Sequence, residues 1–242
     1  RQKIVSHFYG KRIRIGICGD NHSGSIFENP HIVESLYGIF KKEGCEAVYN
    51  PGDLTEGEKL YRGQEYERYI SGGDKLIDHV VNTYPDVGLK TYAISGNHDK
   101  SYWKIAGINI VKKIAEKRDD IEYLGRDEAD IKLAENVIMR LIHPSGGTAY
   151  AMSYRPQKYI ESLSGGQKPM IIIMGHYHKA EMLPQYRNIC LIQSGCTQSQ
   201  TNYMKRKATP AHLGGWILDI CIDKKQLISS FNARFISFYE ES

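Results

Sequence analysis

Apolar positions recur along this chain at two periods. Ile13, Ile15 and Ile17 alternate with polar or small residues, which predicts a buried strand over 11–19. Over 31–42 the period changes. Ile32, Val33, Leu36, Ile39 and Phe40 share one helical face, and Gly44 stops the helix. A second strand over 45–50 runs into Gly52-Asp53. A helix over 74–84 breaks at Pro85, and a third strand follows over 89–95. Strand, helix, strand, helix, strand predicts a parallel sheet with crossover helices. In such sheets, sites collect at the carboxyl ends of strands.

The second half is richer in strands. A helix is predicted over 104–118, one or two strands over 131–142, and a short helix over 157–163. A glycine-containing turn spans 164–168. The run Met170–Met174 is a buried strand leading into Gly175-His176. Extended segments follow over 189–193, 216–222 and 227–238, with no helix of note after Lys179. Helices placed outside a central β-sandwich accommodate this order. Without a linker, internal repeat or low-complexity run, residues 1–242 read as one domain, with 1–10 as a lead-in. The start at Arg1 rather than Met is compatible with a piece of a longer chain.

Composition narrows the picture modestly. Of 242 residues, 41% are hydrophobic and 25% charged, enough for a sizeable core. The net charge of +4, with a pI of about 8.6, is weakly basic. The longest apolar run falls far short of the roughly 20 residues that span a bilayer, so no membrane partner is expected. Five cysteines without a CxxC pair read as reduced thiols, four of them in apolar stretches (Cys18, Cys45, Cys190 and Cys221), in an intracellular, cytoplasmic protein.

What changes the picture is where certain polar residues stand. Asp20-Asn21-His22, Gly52-Asp53, Gly96-Asn97-His98-Asp99, His143 and Gly175-His176-Tyr177-His178 each follow a predicted strand. Five of the nine histidines fall there. His7, His31, His79 and His212 do not, and read as surface or core residues. Two carboxylates, an amide oxygen and four imidazoles suit a pair of divalent ions. Two ions about 3.5–4 Å apart can activate water and clamp a phosphate. Such a pair needs a bridging carboxylate, and Asp53, on a turn directly after a strand, is the natural candidate. Gly52 would let the metals approach the backbone. On an extended segment Asp20 and His22 would share a side, as would His176 and His178, with Gly175 making room and Tyr177 pointing away. Asn97 offers a neutral oxygen. His98, next to it, projects differently and is a candidate for touching substrate. His143 lacks a tight flanking motif; His212 is the alternative to it.

In order and separation these motifs resemble those of calcineurin-like metallophosphoesterases, over roughly residues 13–178. The resemblance implies an α/β fold, a four-layer α/β/β/α sandwich of the metallo-dependent phosphatase type. It implies that Asp20, His22 and His178 hold one ion, that Asn97, His143 and His176 hold the other, and that Asp53 bridges. His98 would act on the leaving oxygen, with Asp99 holding its ring. The implied cofactors are two divalent ions, manganese foremost, with iron, zinc or nickel as the other usual metals. Mixed N/O ligation without thiolate suits all of them. His212 lies outside the family's order.

Gly-Asn-His-Asp with Gly-His-x-His resembles the phosphodiesterases of that superfamily, so a phosphodiester substrate is expected. A DNA or RNA nuclease similar to the double-strand-break repair nuclease is the alternative, supported by Gln193–Thr197 and Gly214-Gly215-Trp216. Leu54-Thr55-Glu56-Gly57 departs from the aromatic–acid pair of those nucleases. A non-catalytic scaffold is the third reading. Tyr61, Arg62, Tyr66, Arg68 and Tyr69 interleave after Asp53, diluted by Glu56, Glu58, Glu65 and Glu67. Tyr203, Lys205, Arg206 and Lys207 form a second basic stretch. Both can bind nucleotide or nucleic acid, or be solvated loops. Asn97, His98, Tyr154 and Arg155 are the candidate substrate-binding residues.

Overall fold

Two six-stranded sheets face each other across an apolar core in the computed structural model, which describes residues 5–6, 12–166 and 168–239. The strands are β1 (Val5–Ser6), β2 (Arg12–Ile17), β3 (Ala47–Asn50), β4 (Lys90–Ser95), β5 (Ile121–Arg126), β6 (Glu128–Ala134), β7 (Val137–Ile142), β8 (Ile171–Met174), β9 (Ala180–Tyr186), β10 (Ile189–Ser194), β11 (Gly214–Ile222) and β12 (Ile228–Ser237). One sheet has the order β12-β11-β2-β3-β4-β5 and the other β1-β6-β7-β8-β10-β9.

Ile13, Ile15 and Ile17 pack between the sheets with Trp216, Leu218, Met139, Leu141, Ile171 and Ile173. The opposite face of the first sheet is covered by α1 (Pro30–Lys42), α2 (Gly73–Thr83) and α4 (Ile110–Ala115), through Leu36, Phe40, Val80 and Ile114. The second sheet is covered by α5 (Tyr154–Ser162), through Ile160 against Ile172 and Leu191. This is the expected four-layer α/β/β/α arrangement, an α/β fold with two mixed sheets. The alternation read in the first hundred residues is real: β2, β3 and β4 pair in parallel.

Several elements differ from the sequence expectation. The helix over 104–118 is two short ones, α3 (Ser101–Ala106) and α4. Gly107 ends α3 in the left-handed region, and the Asn109 side chain caps α4 by accepting from the Lys112 N–H. β5 and β9 were not foreseen. β9 carries Pro184 and little buried apolar surface because it is an edge strand, where a missing N–H is tolerated. A one-turn helix, α6 (Asn202–Arg206), follows Lys179. Cys18, Cys45, Cys190 and Cys196 are buried and Cys221 is half-buried, all as thiols outside any disulfide. Lys11, the lead-in over 1–10 apart from β1, and His7 lie outside the described residues. Among those described, no helix is long and apolar enough to cross a membrane.

Candidate metal centre

Five parallel strands end at one place. β2, β3 and β4 are neighbours in one sheet, and β7 and β8 pair in parallel in the other. The loops after β2 and β3 zip together: the Asp20 N–H donates to the Gly52 carbonyl (3.0 Å), and the Asn21 and His22 N–H groups both donate to the Asp53 carbonyl (2.9 and 3.0 Å). The β8 loop joins them, for the His176 N–H donates to both Asp20 carboxylate oxygens at 3.0 Å.

The side chains do not converge by strand alternation, as expected from an extended Asp-x-His. Asp20, His22, Asp53, His176 and His178 all sit at positive φ, between 50° and 81°. Non-glycine residues rarely adopt this region, and its accumulation at one place is characteristic of functional sites. The chain turns sharply after each strand, and that turn aims both members of each pair inward. Tyr177, between two such residues, points the other way into the α5 cluster.

The glycines have steric duties. Gly52 was expected to open the backbone to metal. Instead a Cβ there would lie 2.6 Å from His143 Nδ1, and its φ of +105° suits glycine alone. Gly175 makes room as expected: a Cβ would come within 2.7 Å of the Pro51 carbonyl and 3.0 Å of Asp20 Oδ2.

Two ligand sets emerge. Asp20, His22 and His178 form one; Asp53, His143 and His176 form the other. Asn97 Oδ1 joins the second, 3.0 Å from His143 Nε2. Asp53 Oδ2 lies 3.1 Å from His143 Nε2 and 3.8 Å from His22 Nε2, between the two sets. His212 stands apart, its Nδ1 accepting from the Ala180 N–H. Asp20, Asp53, His22 and His143 are buried to 2% exposure or less, while the His98 side chain is 17% exposed and opens the site to solvent.

Every ring but that of His178 is oriented by a partner on its far nitrogen, which fixes the tautomer. His143 Nδ1 meets the Pro51 carbonyl (2.8 Å), leaving Nε2 for the centre. His176 Nε2 meets the Gly146 carbonyl (2.7 Å), leaving Nδ1. His22 Nδ1 meets Glu56 Oε2 (2.9 Å) and His98 Nδ1 meets the Glu56 carbonyl (2.6 Å). Glu56 thus serves two rings and with them forms a third group of potential ligands. It was not singled out from the sequence. The signal was there, a carboxylate three residues after Asp53 where an aromatic–acid pair was looked for.

Asp99 was expected to hold the His98 ring. Its carboxylate accepts instead from the backbone N–H groups of Leu54, Thr55 and Gly96 (3.2, 2.8 and 2.9 Å) and from the Thr55 hydroxyl (2.8 Å). It ties the Asp53 loop to the Asn97 loop. Tyr154 begins α5 half-exposed. Arg155 reaches the loop beside His176: its guanidinium lies 3.9 Å from where a Gly146 Cβ would be.

The donors carry opposed protonation tendencies. Burial disfavours charge on every imidazole, yet the hydrogen bond and charge of Glu56 lift His22 to about 9, and the charge and hydrogen bond of Asp53 lift His143 to about 9. Burial, then the charge of His143, lowers His176 to about 4. Burial, then His22, holds His178 well down. Burial raises Asp20 to about 7. It would raise Asp53 too, but the charges of His143 and His98 hold Asp53 well below the usual carboxylate range. His22 Nε2 and His178 Nε2 face each other at 3.1 Å, an approach that needs a shared proton or a cation between them. His178 Nδ1 is buried without a partner. This cluster of convergent nitrogen and oxygen donors fits divalent ions.

Comparison with known proteins agrees on the kind of chain this is. No curated protein sequence matches it. Among solved structures it is similar to a predicted phosphoesterase from Streptococcus pneumoniae TIGR4 (11% identity, 95% of this chain and 100% of that one, TM-score 0.46). It is also similar to the calcineurin-like phosphoesterase YfkN from Bacillus subtilis (12%, 93% and 90%, 0.46) and to a Vps29 single mutant from Entamoeba histolytica (15%, 94% and 100%, 0.43). Residues 13–188 match the family model described as calcineurin-like phosphoesterase, a span that contains all five motif segments. The chain therefore belongs to the calcineurin-like phosphoesterase family.

Proposed function

We propose that this protein is a metal-dependent phosphodiesterase with a dinuclear centre. The observation that carries this reading is the position of Asp53 Oδ2 between two three-residue ligand sets, within 4 Å of an imidazole from each. Asp20, His22 and His178 would hold one divalent ion, and Asn97, His143 and His176 the other, with Asp53 shared. Bound ions would supply a water nucleophile at neutral pH and charge stabilisation for the phosphoryl oxygens.

The remaining work falls to the chain. Because the His98 Nδ1–H donates to the Glu56 carbonyl, Nε2 is the ring atom free to meet substrate. It stands at the open side of the site, where the doubly protonated ring would give its Nε2 proton to the leaving oxygen and keep its Nδ1 proton on the Glu56 carbonyl. Asp99 keeps His98 in place through the backbone rather than through its ring. Glu56 orients His22. Gly-Asn-His-Asp and Gly-His-x-His, similar to those of phosphodiesterases, support a diester over a monoester.

Hydrolysis of bis-p-nitrophenyl phosphate tests the reading directly. Turnover is expected with Mn²⁺ and is abolished by chelation. No turnover with manganese, iron, zinc or nickel overturns it and favours a scaffold that retains the fold. Glu56→Gln is expected to lower Mn²⁺ affinity about 10- to 100-fold, the usual effect of losing an outer-shell partner. Equilibrium dialysis measures this, and an unchanged affinity removes Glu56 from the metal centre.

A further inference from the structure

Two tyrosine-bearing basic stretches, separate in sequence, meet at the rim of this centre. The rings of Tyr61 and Tyr203 lie 5.9 Å apart at 31°. Tyr61 is held from beneath: its hydroxyl donates to Glu67 Oε2 (2.9 Å) and reaches Glu56 Oε1 (3.5 Å), the carboxylate that orients His22. Tyr203 packs at a tilt against the Tyr61 ring and is itself 48% exposed.

The segment bearing Tyr203 is anchored to the site. Gln198 donates to Glu56 Oε2 (3.2 Å) and to Ser25 Oγ (3.1 Å), and Asn29 donates to the Thr197 carbonyl (2.9 Å). Thr201 then caps α6 by accepting from the Met204 N–H, and Met204 is buried. Tyr203, Lys205 and Arg206 are thereby held outward on a fixed turn. Arg62 and Lys207 are exposed beside them. Among the described residues, none of these four cations is seen paired with a carboxylate. Glu65 is the exposed acid of the Tyr61 turn, and it accepts from the Gly63 N–H.

We propose that Tyr203, packed against Tyr61, is a base-stacking shelf, and that Arg62, Lys205, Arg206 and Lys207 are its phosphate contacts, so that the substrate is a single-stranded nucleic acid. The proposal rests on the phosphodiesterase reading and deepens it by naming the substrate class. An exposed aromatic face accepts any unpaired base, whereas bases in a duplex are already stacked. Four clustered cations exceed what one scissile phosphodiester requires and match several phosphates of a polymer. Anchoring through Gln198 and Tyr61 to Glu56 places Tyr61, the support of the shelf, two contacts from His22, so a strand lying on the shelf can present its next phosphate to the metal centre.

The test is fluorescence anisotropy of labelled oligothymidylate and oligouridylate of about 12 nucleotides, with a duplex of equal length, in excess chelator so that nothing is cleaved. Either single strand is expected to bind more tightly than the duplex. Tyr203→Ala is expected to weaken single-strand binding about 5- to 150-fold, and Tyr203→Trp to restore it. Replacing Lys205 and Arg206 together by Gln is expected to reduce the slope of log affinity against log salt by about 1.4. The melting temperature of each variant shows that it is folded. Binding of neither single strand, preference for the duplex, or wild-type affinity in Tyr203→Ala overturns the shelf. Because binding is read without turnover, failure of the shelf is separable from failure of the phosphodiesterase reading, which shows as inactivity on the small diester.

Discussion

Asp53→Asn is expected to leave a folded protein that has lost its metal and its turnover. The substitution is nearly isosteric, and asparagine tolerates the left-handed backbone at this position, where φ is 52°. Its amide oxygen can still accept from the His98 N–H, as Asp53 Oδ1 does at 2.8 Å. What is removed is the charge, together with the Oδ2 acceptor, whose place an amide NH2 takes. That charge faces His143 Nε2 at 3.1 Å and His22 Nε2 at 3.8 Å, so both ligand sets lose it together. Losing an outer-shell partner costs about 10- to 100-fold in metal affinity, so losing the shared ligand is expected to cost at least about 100-fold at each position. Metal analysis after gel filtration in Mn²⁺ should find two ions per wild-type chain and less than one in the variant. Wild-type metal content with wild-type activity would remove Asp53 from its bridging role.

His98→Ala separates chemistry from metal binding. The contact that His98 makes to Asp53 is through the backbone, which alanine retains. The ring touches the Glu56 carbonyl and packs edge-on against His22, with centroids 4.4 Å apart, but it stands outside the two sets around Asp53. Both ions are expected to remain, while kcat falls about 10²- to 10⁴-fold, the range for a positioned proton donor. The loss should be smallest for p-nitrophenolate, which departs without help, and should grow as the leaving alcohol becomes more basic. A uniform loss across leaving groups, or loss of both ions, would show that His98 has another role.

The parts of this site that were legible share a physical cause. A ligand at a strand end follows an apolar run, so Asp20, Asp53, Asn97, His143 and His176 were each announced by the strand before them. The sandwich was legible for the same reason, since β2, β3, β4 and β8 are buried enough to read as apolar runs. Edge strand β9 was not, because an edge has half its partners and little apolar surface to declare it. Asp99 was misassigned because adjacency to His98 suggested a ring contact, whereas the bend at Gly96–Asn97 turns its carboxylate toward the Leu54 and Thr55 amides. The sharp turns at Asp20 and His22 were invisible, since spacing alone does not distinguish an extended pair from two left-handed residues.

The set of donors and the strands that deliver them can be read from local sequence, because hydrophobic period and residue chemistry are local properties. Which of those donors face each other, that Glu56 orients two histidines, and that Tyr61 and Tyr203 meet are consequences of packing. Those contacts join positions such as Glu56 and Gln198, 142 residues apart in the chain. Their proximity is fixed by the packing of two sheets and the anchoring of a loop, and nothing in the residues flanking either one encodes it.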